Sequence, residues 1–151
     1  MNEQKVIGVD VGGTKILAGV VDAGGNVLER VQIASPTAST EELLAGVDQV
    51  ITELLGEEIA AIGIGIPASI DQRSGVVLSS VNLPLHGLHF RQRMSKRFNL
   101  PVGIDNDANV AAIGEWKAGV GRGTSDLVML TLGTGVGGGL ILGGKPYLGA
   151  V

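Results

Sequence analysis

The sequence predicts an α/β lobe built on a mixed sheet, followed by the opening hairpin of a second lobe of similar design. Three observations carry this prediction. Short runs rich in Val and Ile, separated by glycine turns, open the chain. Amphipathic helical patterns then alternate with apolar strands. Finally, the first hairpin recurs near the end of the chain. Asp10-x-Gly12-Gly13 between apolar runs is matched by Thr131-x-Gly133-Thr134-Gly135 between two more, each unit closing on a further glycine pair, Gly24-Gly25 or Gly143-Gly144. A long internal repeat of this kind indicates two related lobes.

In order, residues 6–11, 16–21 and 27–33 read as an antiparallel meander. Residues 36–40 form a loop ending in a helix N-cap, with Glu41 and Glu42 suited to the first turn. Leu43, Leu44, Val47, Val50, Ile51, Leu54 and Leu55 follow with helical spacing until Gly56. Residues 59–66 are apolar throughout, which predicts a central strand covered on both faces and ended by Pro67. A turn at 71–75, a short strand at 76–78 and a loop at 83–87 come next. Phe90, Met94 and Phe98 space a second helix, residues 102–104 a strand, and residues 107–118 a third helix. The order is βββ-α-β-α-β-α and then the second hairpin. Gly119-Val-Gly-Arg-Gly123 marks the boundary, giving lobes at 1–122 and 123–151.

Composition narrows the class. With 44% hydrophobic and 17% charged residues, the chain can bury a core. It has no cysteine, which excludes disulfides and thiolate zinc sites. A net charge of −4 gives no reason to expect nucleic acid or an anionic membrane. The longest apolar stretch, 59–68, is about half a membrane span, and because the first residues run straight into a strand no signal peptide is expected. A cytoplasmic protein is expected. Arg91, Arg93, Lys96 and Arg97 read as a solvated helix face, His86 and His89 as surface or cleft residues, and Trp116 as core.

The chemistry gathers at strand ends. Asp10-x-Gly12-Gly13-Thr14-Lys15 puts a carboxylate, two small residues, a hydroxyl and an ammonium in one turn. Glycine turns expose N–H groups and let a polyphosphate approach, and the carboxylate can hold Mg²⁺ through water. Two glycines between strands also make an ordinary hairpin. The second turn, Gly133-Thr134-Gly135, raises the first into half of a two-sided phosphate clamp. Gly133-x-Gly135-x-x-Gly138 fits the dinucleotide fingerprint but leads into a strand rather than a helix, and the order Thr14-Lys15 departs from a P-loop. Asn106-Asp107-Ala108-Asn109 lies where a strand gives way to a helix, as ligand sites of open α/β sheets do. Asp107 could be a helix cap or, beside Gly63-Ile-Gly65-Ile-Pro67-Ala68, a general base for transfer to an alcohol.

Four motifs together resemble the N-terminal half of the ROK family of bacterial sugar kinases and sugar-responsive repressors: Asp10-x-Gly-Gly-Thr-Lys15, Gly63-Ile-Gly-Ile-Pro67, Asn106-Asp-Ala-Asn109 with Glu115, and Leu132-Gly-Thr-Gly-Val-Gly-Gly-Gly139. The resemblance covers essentially the whole chain. It implies an actin-like ATPase, ribonuclease H-like lobe and an ATP-dependent kinase acting on a hexose or hexosamine. It further implies Asp107 as catalytic base and Pro67, Ala68, Asn82 and Asn106 at the sugar. ATP phosphates and Mg²⁺ then fall to Asp10, Gly12, Gly13, Thr14, Lys15, Gly133, Thr134 and Gly135. A homo-oligomer is expected. Ala68 departs from the family, which usually has Gly there. The family's Glu-x-Gly-His sugar motif and cysteine-rich zinc motif are absent from this chain, so as it stands it is expected to be inactive. A regulator of the same family, or a non-catalytic interaction module, is the alternative; a helix-turn-helix domain ahead of Lys5 is not expected.

Overall fold

The computed structural model describes residues 4–133 and 135–149. Strands β1 (Lys5–Val11), β2 (Lys15–Val21) and β3 (Val27–Ala34) form the expected meander. Helix α1 (Thr40–Leu54) follows, capped by Ser39, whose hydroxyl accepts from the Glu42 N–H. Strand β4 (Ile59–Ile66) leads through Pro67 into β5 (Ala68–Asp71), β6 (Val76–Ser80) and β7 (His86–Leu88). This small antiparallel sheet is larger than the single short strand expected at 76–78, and β7 replaces part of the expected loop. Helix α2 (Phe90–Phe98), strand β8 (Val102–Asn106) and helix α3 (Asp107–Lys117) complete the first part. Asn99 ends α2 in the left-handed region, at φ 53°.

The main sheet has the order β3-β2-β1-β4-β8, with β4 and β8 parallel to β1. Alternation along the strands puts Ile7, Val9, Ile62, Ile64, Val102 and Ile104 on one face. There they are buried with Leu43, Val47 and Ile51 of α1 and with Phe90 and Met94 of α2.

The opposite face corrects the expectation for residues 59–66. Gly19, Gly8, Gly63 and Gly103 pair in register across β2, β1, β4 and β8. A Cβ on Gly8, Gly63 or Gly103 would meet nothing within 4 Å. Strand β4 is therefore covered on one face along its middle, and α3 reaches the other face only near Gly65. An unbroken apolar run could not reveal this, because glycine counts as small and apolar whether or not anything packs on it.

Beyond α3, strands β9 (Leu127–Leu132), β10 (Val136–Leu142) and β11 (Lys145–Pro146) form a three-stranded antiparallel sheet. Gly143 and Gly144, both at positive φ, make the two-residue turn into β11. One face of this sheet rests on α3, where Gly139 lies so close to the helix that a Cβ there would stand 2.5 Å from the Ala112 Cβ and 2.8 Å from the Ala108 carbonyl oxygen. The other face presents Val128, Leu130, Leu132, Val136, Leu140 and Leu142 to solvent. Trp116 is not in the core as expected. It is half-buried, its indole N–H donates to the Thr124 carbonyl at 2.8 Å, and the Lys117 ammonium lies 3.8 Å from its ring. It ties the glycine-rich segment 119–123 back to α3.

Candidate functional site

Strand β8 becomes α3 with no intervening loop, and this abrupt junction places the residues of Asn106-Asp-Ala-Asn109. The helix cap is Asn106 rather than Asp107: the Asn106 Oδ1 accepts from the N–H groups of Ala108 at 3.0 Å and Asn109 at 3.4 Å. Its Nδ2 donates to the Ala68 carbonyl at 3.4 Å, which joins the junction to the start of β5. Asp107 is thereby carried as the first residue of the helix, with its Oδ1 accepting from the Ala108 N–H at 2.9 Å. Gly65 packs beneath this junction, where a Cβ would stand 3.5 Å from the Asp107 Cα, in ordinary van der Waals contact.

The opposite wall is built by the β6–β7 loop. The Ser80 hydroxyl donates to the Pro67 carbonyl at 2.8 Å and accepts from the Leu83 N–H at 3.3 Å, fixing the loop that carries Asn82. Gly13 of the first glycine turn lies against it, its would-be Cβ 3.7 Å from the Asn82 Cβ. Ala68 is buried and sits in the β5 ladder opposite Ser80, outside the positive-φ region, so its methyl requires no backbone shift.

These elements enclose one cleft of about 680 Å³. Of the residues predicted from sequence, Gly12, Gly13, Pro67, Ala68, Asn82, Asn106, Asp107, Gly133 and Gly135 line it. Thr14 and Lys15 do not, and Asp10 lines the glycine-paved face next to it. Thr134 lies outside the described residues. His86 and His89 are exposed and also outside the cleft lining. Sequence reasoning missed Ser69, Ser79 and Ser80 in the cleft wall. The pair Ser79-Ser80 just ahead of Asn82, where a strand loses its apolar character, was the available signal.

Both glycine turns are closed by their own backbone. The Gly12 N–H donates to the Lys15 carbonyl at 2.9 Å, and the Gly133 N–H to the Gly135 carbonyl at 3.0 Å. The first glycine of each turn therefore shapes the turn and has no N–H left for a ligand. Charge in the cleft is mainly negative. The Asp10 carboxyl is pushed above the ordinary carboxylate range, first by desolvation and then by the negative charge of Asp107, while Lys15 pulls it down. A hard cation bound with phosphates would relieve that repulsion. The described residues contain no cluster of three metal-ligating side chains that would hold one unaided.

The ROK family profile matches residues 6–151. A glucokinase of Streptomyces coelicolor is 41% identical over 139 residues, covering 92% of this chain and 44% of that protein. A xylose repressor of Caldicellulosiruptor bescii is 44% identical over 92 residues, 61% of this chain and 23% of the repressor. Among solved structures, a ROK family glucokinase from Streptomyces griseus in complex with glucose and AMPPNP superposes with a TM-score of 0.89 at 38% identity, covering 97% of this chain and 47% of that one. The chain thus spans less than half the length of these relatives.

Proposed function

The chain belongs to the ROK family, and on that footing we propose that it is the N-terminal part of an ATP-dependent sugar kinase, with residues 1–122 as one actin-like lobe and 123–151 as the opening hairpin of a second. The observation that carries the reading is the cleft, which unites a helix-borne carboxylate, an array of amides and hydroxyls, and two glycine turns. The cleft's amides and hydroxyls, from Asn82, Asn106, Ser69, Ser79 and Ser80, are the donor and acceptor set a hexose needs. Asp107 takes the proton of the attacking sugar hydroxyl as its oxygen bonds to the γ-phosphorus of ATP and the bond to the departing ADP breaks. The glycine turns hold the phosphates, with Gly13, Thr14 and Lys15 on one side and Thr134 and Gly135 on the other, while Gly12 and Gly133 shape the two turns. Asp10, whose carboxyl desolvation and the charge of Asp107 hold above the ordinary range, would hold a magnesium ion, and that ion would supply charge neutralisation for the transferring phosphoryl group.

The repressor relative supports a second reading, a sugar-sensing regulator that uses the same cleft to bind sugar without phosphorylating it. Turnover separates the two. The complete gene product, assayed with ATP and a panel of hexoses and hexosamines, should phosphorylate at least one. In it, Asp107→Asn should lower kcat by about 10²–10⁴-fold with sugar affinity changed far less. Sugar binding without turnover in the wild type would favour the regulator, and near-normal turnover in the variant would remove Asp107 from the role.

A further inference from the structure

The cleft has a second carboxylate close behind it that does not line it. Asp105, half-buried two residues before Asp107, directs its Oδ1 at three donors from three parts of the fold. The Asn106 main-chain N–H donates to it at 2.6 Å, the Gln72 side chain from the β5–β6 turn at 2.8 Å, and the Asn109 side chain from the first turn of α3 at 3.0 Å. These residues border a small cavity of about 170 Å³ that shares Ala68, Ser69 and Asn106 with the cleft lining. We propose that Asp105 is the positioning residue of the site, an anchor that fixes the rotation of the first turn of α3 and so aims Asp107 into the cleft.

The geometry gives it leverage. Asn106 and Asp107 lie between two points that Asp105 holds, the N–H of residue 106 and the side chain of residue 109. Asn106 in turn caps the helix and grips the Ala68 carbonyl. The third bond reaches the β5–β6 turn, which Arg91 of α2 braces by donating to the carbonyls of Gln72 and Arg73. A carboxylate suits three converging donors because it only accepts, and its charge strengthens each bond. Releasing the anchor would let α3 turn about its axis, and a base misplaced by about 1 Å costs up to roughly 10²-fold in rate.

The inference rests on the kinase reading for its catalytic consequence but not for the anchor itself, so the test uses two readouts on the complete protein. Asp105→Ala should lower kcat per folded molecule by about 10–100-fold, leaving the KM for ATP within about twofold. Asp105→Asn keeps an acceptor oxygen in place while removing the charge, and should recover most of the lost rate. An Asn variant as impaired as the Ala variant would assign the effect to charge and overturn the positioning role, as would an Ala variant with unchanged kcat. Amide hydrogen exchange at Ala108 and Asn109 supplies the second readout, with about tenfold or greater acceleration expected in the Ala variant but not the Asn variant. If the wild type phosphorylates no sugar yet exchange follows this pattern, the kinase reading fails and the anchor stands. Unchanged exchange in the Ala variant refutes the anchor.

Discussion

Gly139→Ala is a test of how the three-stranded sheet is seated on α3. The added Cβ would lie 2.5 Å from the Ala112 Cβ, 2.8 Å from the Ala108 carbonyl oxygen and 3.3 Å from the Asn109 Cα. Carbon atoms in contact prefer about 3.5–4.0 Å, so the closest approach falls short by about 1 Å or more. Two of the three obstructing atoms are backbone and the third is a methyl with no rotamer to change, so no side chain can yield. Either β10 lifts or α3 moves, and overpacking of this kind typically costs about 1–3 kcal/mol. Urea unfolding followed by the fluorescence of Trp116, the single tryptophan, reads the loss, and its tether to Thr124 makes it sensitive to the same seam. Gly63→Ala serves as the control, since its methyl enters open space. Ala112→Gly removes the worst contact but by itself costs about 1 kcal/mol of helix propensity. Combined with Gly139→Ala it should cost less than the two single changes added together. A Gly139→Ala chain within about 0.5 kcal/mol of wild type, or a double variant showing simple additivity, would refute the seam as described.

Asp10 sets a pH dependence. The folded chain holds a proton on Asp10 more readily than the unfolded chain, so stability falls as pH rises from the ordinary value of 3.8 through the raised folded value. Asp10→Asn should therefore stabilise the chain at pH 7 and have no such effect below pH 3.8, as thermal unfolding across that range would show; a variant destabilised at pH 7 would contradict it. On the proposed kinase reading, Thr14→Val in the complete protein should raise the KM for ATP more than that for sugar, and an effect confined to the sugar would mean that the first glycine turn has been misassigned. The chain by itself should be inactive and should self-associate through the outer face of β9 and β10, where Leu130, Leu132 and Val136 are exposed. Light scattering should detect the association, and Leu130→Lys should weaken it. A strictly monomeric sample that phosphorylated hexose at ordinary rates would overturn the expectation.

Much of this fold is legible because periodicity reports one-sided burial well. The spacing of Leu43, Val47, Val50 and Ile51, and of Phe90, Met94 and Phe98, places both helices correctly. The sheet β5–β7 is harder to read, because strands of three to five residues with Ser, His and Gly carry little alternation. Two errors share a cause. The expected two-sided cover of β4 and the expected burial of Trp116 both took apolar character as proof of a packing partner, whereas Gly63 is open and Trp116 is held at its polar end. In the site, Asn106, Asp107, Asn109 and the glycine turns are visible as motifs. The tie of Asp105 to Gln72 is not, since it joins a strand end to a turn 33 residues away in sequence.

The line of glycines across β2, β1, β4 and β8 has a use as a reporter. Replacing Gly8, Gly63 or Gly103 by alanine creates no clash within this chain, and alanine restricts the unfolded chain more than glycine does. On the chain's own energetics these substitutions should be silent or mildly stabilising. Intolerance to them in a longer protein would then register contact with some other segment, and the size of side chain tolerated at each position would gauge how closely that segment approaches. Three adjacent strands thus carry a set of feeler gauges across the width of the sheet, readable by substitution alone.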